Sequence, residues 1–233
     1  MATPSPLDFK SVGREVAAIY VADLRVILPL AAGIFLLPAI FNHLPLPPLL
    51  VFPLAYPIQT SAFMVYAGIV AQRRSTESGG DEVVRAPGIS NAIAPRIAPL
   101  VLAGIIVGLG TVAGLLCFVL PGVFLATMWF VVAPVIAVED QGWKGGLRSS
   151  WRLIRPRFGR VLIIAVAANI LTYGIWWLVV PSASELGRLG GMVGSELTYV
   201  LVSPVVAVII WCVYARLRGI TTAPGRSAAP RAA

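Results

Sequence analysis

Residues 97–138, IAPLVLAGIIVGLGTVAGLLCFVLPGVFLATMWFVVAPVIAV, contain no Asp, Glu, Lys, Arg or His. A helix that is apolar on every side needs an apolar surrounding, and a hydrocarbon core ~30 Å thick takes about 20 such residues. The run is therefore about twice the length of one crossing. It is interrupted by Pro121 and Gly122. Proline cannot donate to the turn before it and glycine admits a sharp turn, so the sequence predicts two antiparallel helices joined at LPG. The remaining chain has the same character. Only 12% of its residues are charged, against roughly 25% in a soluble domain, and its mean hydropathy is +0.87.

Hydropathy along the chain predicts an all-α, polytopic membrane protein. Its six transmembrane helices fall near 26–43, 48–71, 97–119, 122–138, 160–181 and 197–216, in three hairpins. Residues 1–218 form one six-span membrane domain, and 219–233, which includes APGRSAAPRAA, reads as a disordered tail. The first apolar run ends in FNHLPLPP rather than a small-residue cleavage site, so it is expected to remain as a span.

A net charge of +8 suggests nucleic acid as the partner of a soluble protein. Here its distribution says otherwise. The connections after spans one, three and five hold one basic residue, Arg188; the other Lys and Arg lie in the N-terminal lead, 72–96, 139–160 and the tail. Basic residues collect on the cytoplasmic side of membrane proteins, which predicts a multi-pass protein of the plasma (inner) membrane with both termini cytoplasmic. Cys117 and Cys212 then fall at opposite depths, too far apart for a disulfide, and read as packing residues.

The positive charge is densest in VEDQGWKGGLRSSWRLIRPRFGRVLII, where Lys144, Arg148, Arg152, Arg155, Arg157 and Arg160 follow one another. On a helical wheel Lys144, Arg148, Arg152 and Arg155 share one face, while Leu147, Trp151, Ile154 and Phe158 share a neighbouring one. That pattern predicts an amphipathic helix lying in the cytoplasmic membrane interface. Pro156 ends it near Arg155 and opens span five. Lys144, Arg148, Arg152, Arg155 and Trp151 are the candidate anchors to anionic lipid headgroups, each cation contributing about 1 kcal/mol. The charges either only orient and anchor the bundle or let arginines recognise lipid phosphate. A related arrangement occurs at the N-terminus: FKSVGREVAAIYVADLRVIL aligns with WKGGLRSSWRLIRPRFGRVL, setting Lys10 on Lys144 and Arg14 on Arg148. Three units, each a surface segment followed by a hairpin, begin near residues 9, 86 and 143.

LPGVFLATMWFVVAPVIAVEDQGWKGGLRSSWRLIRPRFGRVL resembles the signature of the glycerophosphoryl diester phosphodiesterase membrane-domain family. The matching positions are Pro121, Gly122, Glu139, Gly142, Leu147, Ser150 and Trp151, and Gly146 stands where that family usually has alanine. LDFKSVGREVAAIYVADLRVILP is similar to the family's opening. In some relatives this region precedes a catalytic phosphodiesterase barrel. The chain resembles the membrane part standing alone, so the family name does not imply activity.

The residues themselves point the same way. Phosphodiesterase chemistry needs several His, Glu and Asp to hold metal and move protons. This chain has one histidine, His43, at the outer edge of span one, and no HExxH, GxSxG or CxxC. No catalytic residue, cofactor, metal or nucleic-acid partner is expected. At mid-membrane depth the sequence offers Gln59, Thr60, Ser61 and Asn169, which either tie helices together or line a polar path. Gln59 and Asn169 are expected to face the interior, each with a partner. Gly104 and Gly108, and Gly110 and Gly114, read as close-packing faces whose partner the sequence leaves open. The expected function is a non-catalytic membrane protein organising or regulating a protein partner or lipids at the cytoplasmic leaflet. The alternative is a passive transporter or lipid-handling protein.

Overall fold

A computed structural model describes residues 9–42, 48–78, 89–185 and 187–220. His43, the side chain of Arg188 and residues 221–233 lie outside the described set. Every regular element within it is helical: α1 (Phe9–Asn42), α2 (Pro48–Ser78), α3 (Ile89–Cys117), α4 (Val119–Met128), α5 (Val132–Glu139), α6 (Trp143–Ile154), a 3-10 turn (Arg155–Arg157), α7 (Phe158–Ser184) and α8 (Arg188–Arg218).

Among the described residues, Ile93–Cys117, Val119–Glu139, Trp143–Ser184 and Val193–Arg218 are each long and apolar enough to cross a membrane. A fifth candidate is the bent pair Val12–Val21 and Arg25–Phe35, which meet at 87° within α1. α2, which carries Gln59, Thr60, Ser61, Gln72, Arg73 and Arg74, is not among them. The outward-facing side chains suit such surroundings: Leu116, Phe118, Leu120, Ile163, Ile170, Trp177 and Leu178 are 64–81% exposed. So many large apolar groups on a surface require an apolar cover.

The helices approach closely where glycine removes the side chain. A Cβ on Gly104 would stand 2.4 Å from the Ser61 Cα, and one on Gly108 would stand 2.7 Å from the Pro57 Cα. These two glycines seat α3 on α2. A Cβ on Gly114 would lie 2.8 Å from the Gly122 Cα, and one on Gly110 2.8 Å from the Trp129 ring, so the second pair seats α3 on α4 and on the turn that follows it. Side-chain and backbone bonds reinforce the assembly. The Ser61 hydroxyl donates to the carbonyls of Pro57 (2.7 Å) and Val101 (3.1 Å). The Tyr66 hydroxyl donates to the Ile27 carbonyl (3.1 Å), and Tyr20 to that of Leu201 (3.3 Å).

The turn between α3 and α4 differs from the expectation at Pro121-Gly122. The chain leaves the helix at Phe118, whose backbone is extended (φ −164°, ψ 148°). Pro121 sits in the first turn of α4, where a missing N–H costs nothing, and Gly122 is buried against α3. Glycine serves contact here rather than turning.

The apolar run 119–139 is itself broken. Pro134 supplies no N–H to the Phe130 carbonyl and its ring crowds that group. The chain answers with a turn at 129–131, in which the Phe130 N–H donates to the Thr127 carbonyl (3.1 Å) and the Val132 N–H to that of Trp129 (3.2 Å). The Met128 carbonyl thereby loses its helical donor.

α6 folds back along α5 and α4 and turns its apolar side to them. A Cβ on Gly146 would meet Ile136 Cγ1 at 2.4 Å, the Ser150 hydroxyl reaches the Met128 carbonyl, and Trp151 stands edge-on to Phe124 with centroids 5.5 Å apart. The apolar face, expected to be buried toward acyl chains or neighbouring spans, is covered by neighbouring spans.

Candidate functional site

The basic end of the bundle is organised by Glu139, the last residue of α5. Arg218 of α8 donates through Nε to Glu139 Oε1 (2.9 Å) and through its terminal nitrogen to Oε2, a fork-to-fork pairing that fixes orientation as well as charge. The Tyr214 hydroxyl donates to Oε1 (3.0 Å) and the Gln141 amide to Oε2 (3.1 Å). Gln141 in turn accepts from the Ser149 hydroxyl (2.9 Å), itself within 3.4 Å of the Arg152 guanidinium. One carboxylate thus links α8, the α5–α6 connection and α6. Glu139 thus reaches across the bundle to α8 rather than to the nearby cations of α6.

Asp140 makes the connection sharp. Its backbone is left-handed (φ 52°), a conformation that Asp tolerates better than most residues, and its carboxylate accepts from Arg96 Nε of α3 (2.9 Å). Gly142 follows as the residue before α6. The family-like positions therefore have architectural roles. Glu139 is the node and Gly142 starts α6. Ser150, wholly buried, satisfies the carbonyl released by the α4–α5 break (2.8 Å). Trp151 and Leu147 pack on the core.

The other described acids near this end are also taken. Asp23, at the bend of α1, pairs with Arg73 (3.6 Å) and Arg74, and Glu15 pairs with Arg216 (2.9 Å). The cations of α6 and the start of α7 behave differently. Lys144, Arg148, Arg152, Arg155 and Arg160 are exposed, and none has an acidic partner among the described residues. Lys144 instead lies over the Trp143 ring, 5.1 Å from its centroid. The predicted anchors are thus brought onto one outward face, while Trp151 belongs to the packed side.

The mid-membrane group does not assemble as expected. The Thr60 hydroxyl donates to the Tyr56 carbonyl (2.7 Å) and Ser61 bridges α2 to α3. Asn169 is exposed, its amide returned to the Ala165 carbonyl of its own helix (2.8 Å). Both amide atoms of Gln59 are buried without a partner. Cys117 and Cys212 are free, and no group of three His, Cys, Asp or Glu stands together among the described residues. Arg218, Tyr214 and Met128 were not legible as parts of this site, because no spacing or motif joins residue 139 to 218 or 128 to 150. No protein-family model, curated protein or solved structure matches the chain.

Proposed function

We propose that this protein is a non-catalytic, multi-pass membrane protein whose α6 face docks anionic lipid headgroups at the cytoplasmic leaflet. The observation that supports this reading is the division of charge at the basic end. Glu15, Asp23, Glu139 and Asp140 are occupied by Arg216, Arg73 and Arg74, Arg218 and Arg96. Among the described residues no acid meets Lys144, Arg148, Arg152, Arg155 or Arg160, which leaves their charge for a partner outside the described helices. An anionic surface attracts such a patch at about 1 kcal/mol per cation. With the basic end cytoplasmic, six spans follow if α1 and α2 also cross. The likeness to the phosphodiesterase membrane-domain family fits a scaffold, since its motif residues here hold helices together.

The test is the full chain in nanodiscs of phosphatidylglycerol or phosphatidylcholine, with bound lipid identified by native mass spectrometry. Replacing Arg148, Arg152 and Arg155 together by Gln removes about 3 kcal/mol of attraction, roughly a hundredfold in preference for the anionic lipid. Lys at all three preserves most of it. An unchanged preference in the Gln variant overturns the reading. Equal loss with Lys turns it into specific recognition of phosphate by planar guanidinium groups.

A further inference from the structure

α7 is seated on one side only. Val161, Ile164, Ala165 and Ala168 are buried, and the helix packs chiefly on α8. Only 17% of its apolar stretch is buried, against 44–61% in Ile93–Cys117, Val119–Glu139 and Val193–Arg218. On the open side Gly159, Ile163, Val166, Ile170, Tyr173 and Trp177 recur at spacings of 4, 3, 4, 3 and 4, and the five with larger side chains are 39–69% exposed. That is the heptad spacing by which two helices interlock. Lipid suits the apolar members of this face but not what stands beside them. Asn169, near the middle of α7, is exposed; its amide donates to the Ala165 carbonyl (2.8 Å), and its oxygen and second N–H have no partner among the described residues. Hydrocarbon offers neither donor nor acceptor, so such a group is stabilised by a neighbouring helix. The glycines agree. Every glycine within α2, α3, α4 and α6 has a neighbour that a Cβ would touch, whereas Gly159 and Gly174 of α7 have nothing within 4 Å.

We propose that this face of α7 pairs with the same face of a second copy of the chain. Two copies inserted in one orientation run parallel, so equivalent residues lie at equal depth. Ile163, Ile170 and Trp177 then alternate with Gly159, Val166 and Tyr173 along the seam. Positions flanking a parallel heptad seam meet the opposite flank across it, which sets Asn169 of one copy beside Gly174 of the other. The bare glycine lets the amide approach the partner's backbone carbonyls and supplies the contact that the single chain lacks. By two-fold symmetry the same contact forms twice. An amide and an open glycine that complement each other at one depth favour a second copy over an unrelated helix. Arg155 and Arg160 are exposed, and like charges repel, so the seam ends at Gly159 on the basic side. It lies beyond the basic face and does not rest on the lipid reading of that face.

The test is energy transfer between donor- and acceptor-labelled full chains, labelled at the exposed Cys117 and diluted in phosphatidylcholine vesicles. Transfer that follows a monomer–dimer equilibrium on dilution is expected. Asn169→Leu should weaken association about tenfold. Gly174→Leu should weaken it at least as much while leaving thermal unfolding of the detergent-solubilised monomer unaltered, because a Cβ there meets nothing in the single chain. If Asn169→Leu does not fold, the Gly174 variant decides. Leu120→Ala, exposed on α4, should change nothing. In a Cys117→Ser background, Ile170→Cys should form an intermolecular disulfide on oxidation, and Ala168→Cys, on the buried side of α7, should not. A monomer at every dilution leaves the face to lipid and overturns the proposal. Unweakened association in the folded variants, or a cross-link at 168 equal to that at 170, overturns it as well.

Discussion

Ser150→Ala tests whether α6 is held to the broken span by a released backbone carbonyl. In an unbroken helix the Val132 N–H would serve the Met128 carbonyl, but that N–H is committed to Trp129 (3.2 Å). The Ser150 hydroxyl replaces it at 2.8 Å, and both residues are buried, at 0% and 4% exposure. Two magnitudes compete. Side-chain hydrogen bonds between membrane helices average about 0.6 kcal/mol, because the separated helices find other partners. A buried group left with no partner costs about 1–3 kcal/mol. The second applies here, since the carbonyl has a backbone donor in an isolated, regular helix and none in the folded alanine variant. We expect a loss of about 2 kcal/mol, roughly thirtyfold in the folded-to-unfolded ratio. Unfolding of the full chain in mild detergent, monitored by tryptophan fluorescence, reads this directly. Ser149→Ala, which loses only side-chain partners, the Gln141 amide oxygen and the Arg152 guanidinium, should cost less than half as much. In a Pro134→Ala background the helix can restore the Val132 bond, and the cost of Ser150→Ala should fall below about 1 kcal/mol. An equal cost in both backgrounds would refute the proline-driven break as its cause.

Gly146→Ala forces a Cβ to within 2.4 Å of Ile136 Cγ1 and should destabilise by about 1–3 kcal/mol through overpacking; in an Ile136→Ala background the same change should be nearly neutral, and an equal loss there would contradict the contact. Glu139→Gln removes the charge that joins Arg218, Tyr214 and Gln141. Because Arg218 is 37% exposed, the global cost should stay within about 1 kcal/mol, while amide exchange over 139–149 accelerates; unchanged exchange would remove Glu139 as the node. In a Cys117→Ser background, an impermeant maleimide applied to intact cells should label Ser184→Cys and spare Gly142→Cys, both exposed positions. The reverse pattern inverts the orientation. Ser149, buried, cannot serve as a probe.

Much of the architecture is written in composition and order. The uncharged run 97–138 requires apolar surroundings, Pro156 marks a real interruption of helix, and the basic stripe of α6 is on one face as its spacing predicts. These properties are local: they depend on periodicity, on a missing N–H and on charge. What covers each face is not local. Gly104 and Gly108 meet α2 while Gly110 and Gly114 meet α4 and the turn that follows it, though the two pairs look alike in sequence. The apolar side of α6 suits lipid or protein equally by its wheel; the close approach allowed by Gly146 and the carbonyl freed at Met128 commit it to protein. Gln59 and Asn169 are both amides in apolar surroundings, yet Asn169 returns to its own helix and Gln59 is buried between helices without a partner. Glu139 finds Arg218 across 79 residues. Sequence determined which groups need a neighbour. Only tertiary packing decided which neighbour, because an unsatisfied carbonyl or a bare glycine surface is met by whichever helix the whole bundle brings against it.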